Sequence, residues 1–354
     1  MGRKIIVVGS GIIGAATAYN LQKSGADVTI IDAGHANATQ SSFGWVNASF
    51  FETPDHFRLR ADAIAAYRDL SAELSLPINW CGCLCWEETG AAFDAQYQDL
   101  ANLGYHVEEI DASRFSALEP HINQPPERCL MFDQEAAVDS GVLAQRLIQA
   151  ATGLGARVIT GVTVEDFITQ GSKVTGVLTR VGTLFADHVV VAAGISTQTL
   201  MAGLDMHLPM LTRPALMLKT NPVAPIFTHV LVSELGELRQ LPDGSLLMPA
   251  AINHQADTSE ALASPPDDEA DLALERLQAL IPQIPLSWSH ATVAFRPVPQ
   301  DGLPVVGQVM DGLYVATMHS GITLGALMGK LITTEILDGP TDRLALYRPQ
   351  RFTN

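Results

Sequence analysis

The stretch Lys4–Gly34, "KIIVVGSGIIGAATAYNLQKSGADVTIIDAG", decides how this 354-residue chain is read. "KIIVV" is short, apolar and β-branched, which suits a strand buried on both faces of a sheet. Gly9, Ser10, Gly11, Ile12, Ile13 and Gly14 follow at once, and the residues after them carry a helical pattern that Gly25 ends. "DVTIID" is a second strand, finishing in Asp32. Gly9 permits the tight strand-to-helix turn, Gly11 leaves no Cβ in the way of a pyrophosphate, and Gly14 lets the helix pack on the sheet. The helix start offers unpaired N–H groups and a positive dipole end to phosphates. A carboxylate at the tip of the second strand accepts hydrogen bonds from ribose hydroxyls. Together these features predict a dinucleotide-binding unit.

Composition narrows what such a unit serves. With 38 acidic against 21 basic side chains the formal charge is −17, which repels phosphate backbones and argues against a nucleic-acid partner. An anionic substrate then has to be held by locally placed cations. An apolar share of 47% without low-complexity tracts predicts a well-buried core, and the length allows two domains. Cys81, Cys83 and Cys85 alternate in "WCGCLCWEE", and no CxxC pair occurs. Three thiols along one strand face make poor tetrahedral geometry, so they are read as buried small residues and no metal is expected. Arg3 and Lys4 before an apolar run superficially resemble a secretory signal, but glycines break the run and no cleavage site follows. No window is apolar over a membrane's width. A cytoplasmic protein without a membrane span is expected.

Later segments separate the cofactors that a glycine-rich turn can serve. "LFADHVVVAAGISTQTL" (184–200) runs from a strand into Ala192, Ala193 and Gly194. Strands are predicted at 157–159, around 162–167, at 173–179 and at 313–317, and a final helix from about Ile322. With the N-terminal motif, "FRPVPQDGLPVVG", "HSGITLGALMGKLITTEI" and "LYRPQRF", the chain resembles the glycine oxidase and D-amino-acid oxidase-like family of FAD-dependent oxidoreductases over nearly its whole length.

That resemblance implies an α/β fold (α+β overall). A Rossmann-type FAD-binding domain is assembled from 1–78, 137–207 and 297–354. A second domain, from 79–136 and 208–296, is built on a mainly antiparallel sheet, for which "PDG" at 242–244 supplies a hairpin turn. It further implies cofactor contacts at Gly9, Gly11, Ile12, Ile13, Gly14 and Asp32, and at Ser41 and Ser42 for the phosphates. Trp45 and Asn47 are expected at the ring, Val164 at adenine through its backbone, and Ala193 and Gly194 at the ADP portion. Gly321, Ile322 and Thr323 begin a helix whose positive end faces the flavin. The segments "VAFRPVP" and "SSFGWVN" hold no cysteine or histidine, so FAD is expected to be non-covalent.

Arg296 matches the family arginine that clamps a substrate carboxylate with a planar fork; the competing reading is a salt-bridged arginine at the domain junction. His319 precedes the final helix as a candidate catalytic group. Arg239 is read either as binding a second acidic group or as a solvated sheet-face residue. No tyrosine occurs between Tyr105 and Tyr314, where relatives commonly supply tyrosines to the pocket, so Met217, Phe227, Met248, Trp288 and Phe295 are the candidates to shape it. The expected reaction oxidises the C–N bond of an amino acid, or of an N-substituted or cyclic one, to an imine, with hydride passed to flavin N5. O2 or another carrier is the final acceptor. The alternatives are a flavin-dependent 2-hydroxy-acid dehydrogenase and an FAD-carrying subunit of a hetero-oligomer; homo-oligomers are also open.

Overall fold

The computed structural model describes residues 2–253, 255 and 257–352; positions 1, 254, 256, 353 and 354 of the expected domains lie outside the described residues. The apolar run Lys4–Val8 is the centre of a six-stranded sheet. On one side of it lie Asp27–Asp32 and then Arg157–Thr160; on the other lie His188–Val191, Leu313–Thr317 and Val305–Met310. All pairs are parallel except the last, where Val305–Met310 runs antiparallel to Leu313–Thr317. Val7 sits in register between Val190 and Ile30, so the opening strand is covered on both edges.

Side-chain alternation divides the two faces of this sheet. Ile5, Val7, Val28, Ile30 and Val190 pack toward the helices Ile12–Lys23, Ser140–Gly153 and Gly321–Asp338. Ile6, Val8, Ile31, Val189 and Val191 pack toward an antiparallel three-stranded layer, Val164–Gln170, Lys173–Thr179 and Gly182–Phe185. The strand after the second βα unit therefore begins at Val164, and Val162 and Thr163 precede it as connecting chain.

The second sheet has eight strands, in the order Trp288–Phe295, Pro214–Thr220, Leu246–Pro249, Gly236–Gln240, Val230–Ser233, Cys83–Trp86, Arg128–Phe132 and Glu108–Asp111. It is antiparallel apart from the pairing of Val230–Ser233 with Cys83–Trp86. Pro242, Asp243 and Gly244 make the turn between two of its strands, and the Gly244 N–H closes it on the Leu241 carbonyl at 2.9 Å. Cys83 and Cys85 are buried here, and burial pushes their thiols well above the ordinary range. They pack as apolar groups. Helix Pro266–Leu280 covers part of the sheet with Asp267, Asp268 and Glu269 in its first turn, where its dipole favours them.

The helix Gly321–Asp338 crosses the first helix at unusually short range. A Cβ at Gly329 would lie 2.6 Å from the Ala16 carbonyl oxygen, so only glycine lets the two backbones meet there. Gly329→Ala is expected to lower stability by about 1–3 kcal/mol despite alanine's better helix propensity. Gly153→Ala, whose Cβ would enter open space, is expected to be neutral or mildly stabilising. Urea denaturation midpoints of the two variants check this; equal midpoints would contradict the close-crossing account.

Candidate active site

Gly9 adopts φ +105°, and a Cβ there would lie 2.4 Å from the Ala192 carbonyl oxygen. The strand can therefore turn into the helix directly against the neighbouring strand end. Gly14 stands one turn further on, where a Cβ would lie 2.0 Å from the Gly9 carbonyl oxygen. Gly14 thus seats the helix on the turn rather than lining a cavity. Gly11, Ile12 and Ile13 do line one, together with Gly9, and its volume is about 590 Å³. Gly11 is the N-cap without a side-chain cap, and the Ile12 N–H donates to Thr39 Oγ1 at 3.0 Å.

At the far strand tip, Asp32 accepts from the Ser10 N–H at 3.0 Å, from Ser10 Oγ at 2.5 Å and from the Gly34 N–H at 2.7 Å. Its carboxylate is thereby fixed at the cavity rim. Val164 belongs to the same end, and Ala193 and Gly194 lie along the wall between. Ser41 and Ser42 also line the cavity, with Ser42 Oγ accepting from the Gly44 N–H at 3.1 Å. Gly321 and Ile322, at the start of the final helix, face it as well. Met217, Phe295, Arg296 and His319 complete its other end, so one cavity joins the Rossmann turn to the second sheet.

Three expected contacts stand behind this wall. Trp45 is buried and donates through its indole N–H to Glu135 at 2.9 Å. Asn47 is buried too, and its side-chain and backbone oxygens accept from Arg60. Thr323 Oγ1 lies 3.3 Å from both the Asn47 N–H and the Trp45 carbonyl. The pocket-shaping candidates also divide. Phe227 and Met248 pack on the opposite face of the second sheet, and Trp288 donates to Asp271 at 2.8 Å. Arg239 is neither a solvated residue nor a substrate ligand. It is buried and donates to the Phe43 and Val138 carbonyls, the latter at 3.0 Å, stapling the loop behind the serines to the sheet.

Arg296 is 8% exposed and lines the cavity, and its Nη2 donates to Asp257 Oδ2 at 2.9 Å and to the Asp257 carbonyl at 3.1 Å. The guanidinium thus belongs to a residue that lines the cavity and is ion-paired to Asp257. Burial lowers its pKa from the ordinary value, and the Asp257 carboxylate opposes that shift.

Sequence reasoning did not find Thr39, Arg60 or Glu135. Arg60 projects from the helix Pro54–Leu74 to Asn47 and to Ser320 Oγ at 2.5 Å, bridging the early loop to the start of the final helix. Glu135 accepts from the Trp45 indole, from the Ala48 and Ser49 N–H groups at 3.0 Å and from Tyr105 Oη at 3.0 Å. A carboxylate between loops of unrelated sequence carries no local signal; only the polar cluster "NATQSS" pointed toward Thr39.

The residues fit a dinucleotide on two observations: Gly11 lines the cavity at the helix start, where a Cβ would crowd Thr39 Oγ1 at 3.1 Å, and Asp32 is held at the rim of the same cavity. The fold and site define a Rossmann-type oxidoreductase. The chain belongs to the DAO family of FAD dependent oxidoreductases, whose model matches residues 4–335, and it is an FAD-dependent enzyme of the amino acid and amine oxidoreductase class. It is 26% identical to the D-amino acid dehydrogenase of Cereibacter sphaeroides, over 95% of this chain and 92% of that protein. Among solved structures, it resembles L-proline dehydrogenase from P. horikoshii with a TM-score of 0.88 and 18% identity, over 99% of this chain and 98% of that one. Glycine oxidase from Geobacillus kaustophilus gives 0.87 and 22%, over 99% and 100%. These structural likenesses are of fold.

Burial pushes Glu135 up to about 7, against the pull of its donors. Between the ordinary carboxylate value and 7 the folded chain holds a proton that the unfolded chain has released, so stability falls as pH rises through that window. Burial shifts Glu87 and Glu237 the same way. Urea unfolding between pH 5 and 7 is expected to show a negative slope that Glu135→Gln makes shallower. An unchanged slope in the variant would show that Glu135 does not hold that proton.

Proposed function

We propose that this enzyme oxidises the C–N bond of an amino acid, or of an N-substituted or cyclic amino acid, whose carboxylate Arg296 holds. One observation carries the reading: a buried guanidinium lines the same cavity as the glycine turn and the start of the final helix. In a chain of net charge −17, such a cation provides the local attraction that an anionic substrate needs. The names of the relatives, D-amino acid dehydrogenase, L-proline dehydrogenase and glycine oxidase, support an amino-acid substrate.

Gly9, Gly11, Ile12 and Ile13 would hold the pyrophosphate side of the cofactor, Asp32 its ribose, and Gly321 with Ile322 the ring side. FAD, when bound, supplies the acceptor for the hydride equivalent that leaves the substrate α-carbon. Arg296 fixes the carboxylate with paired N–H donors and so orients the α-carbon, a step that lysine's point charge does not reproduce. Buried Met217 and half-exposed Phe295 give that end apolar walls. His319 lines the cavity, which supports its assignment as the group that takes the ammonium proton and leaves a neutral amine for oxidation. The resulting imine is hydrolysed by water. No helix of the described residues is long and apolar enough to cross a membrane. The cytoplasm is the proposed compartment, and O2 or another carrier reoxidises the cofactor.

Anaerobic bleaching by amino acids, cyclic imino acids and 2-hydroxy acids tests the reaction, and only the nitrogen-bearing compounds are expected to bleach the flavin. Arg296→Met is expected to keep its flavin while carboxylate binding weakens about a hundredfold, the worth of two charge-assisted hydrogen bonds. Normal binding by the variant would remove Arg296 from the site.

A further inference from the structure

Two side chains of one loop close on two polar groups of the second domain. Asp257 places its carboxylate on Arg296 at 2.9 Å, and Gln255 donates through Nε2 to Glu237 Oε1 at 3.1 Å. The loop thus presents an acid to a cation and, two residues away, an N–H donor to an acid.

Glu237 is 2% exposed, and among the described residues its Oε2 has no hydrogen-bond partner. It alternates with Arg239 on the strand Gly236–Gln240, and Arg239 pairs with Leu247. Both therefore share the sheet face that holds Leu247 and the cavity-lining Met217. Burial, aided by Glu87, pushes Glu237 up to about 8 against the pull of the Gln255 hydrogen bond and of Arg296. Glu87 is itself pushed up to about 7. A buried carboxyl left half-satisfied beside another acid is costly for folding. The same arrangement suits a cation.

We propose that Gln255 and Asp257 are built-in occupants of a two-point recognition site formed by Glu237 and Arg296. The substrate that displaces them is a carboxylate whose far end carries an ammonium or guanidinium group. This inference rests on the reading of Arg296 as the carboxylate clamp, and it adds Glu237 as the residue that selects the substrate side chain. The loop's own side chains keep the guanidinium and the buried acid satisfied until a ligand with both ends arrives.

The test titrates the anaerobic FAD-loaded enzyme with three matched ligand series and follows the flavin spectrum. The series are β-alanine and its longer ω-amino homologues, the unsubstituted alkanoates, and the dicarboxylates. At the best chain length the ω-amino acid is expected to bind at least about tenfold tighter than the alkanoate, with the dicarboxylate weakest. Glu237→Gln is expected to remove that preference and leave alkanoate binding unchanged. Asp257→Asn is expected to tighten all three series by relieving competition for Arg296. If Glu237→Gln fails to hold flavin, Gln255→Ala serves instead and is expected to tighten the ω-amino series alone. Absence of the preference, or its persistence without Glu237, overturns the second recognition point while a weakened Arg296→Met leaves the clamp standing. Failure of Asp257→Asn to tighten binding overturns the occupant role. Unchanged binding by Arg296→Met ends the clamp and this inference together.

Discussion

Backbone meets backbone at the glycine turn, and the position of every other part of the site follows from that contact. The Gly9 carbonyl lies where a Gly14 side chain would be, and Gly9 itself presses on Ala192. The opening turn and the strand end at Ala192, far apart in sequence, are thereby held within one van der Waals layer. The helix start, the tip of the second strand and the loop after His188–Val191 then open onto one cavity. The crossing at Gly329 performs the same service at the other end, bringing Gly321 and Ile322 to that cavity from a helix more than three hundred residues downstream of the opening turn. Van der Waals exclusion is steep, so this geometry tolerates little variation.

Among the described residues this acidic chain buries four arginines, and three of them, Arg60, Arg239 and Arg296, have different tasks. Burial pushes Arg60 and Arg239 down to about 10, which leaves both charged near neutrality. Arg60 spends its donors on Asn47 and Ser320, and Arg239 spends its own on two carbonyls, so both fix loops behind the cavity. Arg296 differs because it lines the cavity and donates to a carboxylate, that of Asp257. Glu135 is the acidic counterpart of the structural pair: it gathers indole, backbone and phenol donors from three segments into one buried node. Such a node holds Trp45 rigid without exposing it to a ligand.

Much of the fold could be read along the chain because its cues are local. The strand Lys173–Thr179 and the strand Leu313–Thr317 announce themselves by apolar runs between turn residues, and Pro242, Asp243 and Gly244 by their turn chemistry. Arg239 was misjudged because a strand's alternation says which residues share a face, not what covers that face. Here the covering elements are the loop at Phe43 and the strand Ala136–Val138, and their carbonyls claim the guanidinium. Trp45 and Asn47 failed to reach the cavity for a related reason. Their loop is clamped from behind by Glu135 and Arg60, which lie 90 and 13 residues away.

By itself the sequence determined the Rossmann turn, the acid at the tip of the second strand and the cation of the second domain. Each is specified by residue types within a few positions of one another, where backbone sterics and periodicity act. The tertiary structure alone decided which buried charges meet: Arg296 with Asp257, Glu237 with Gln255, Trp45 with Glu135. Those pairings depend on how two sheets and their loops pack, and a charge leaves no mark in the sequence of the partner that satisfies it.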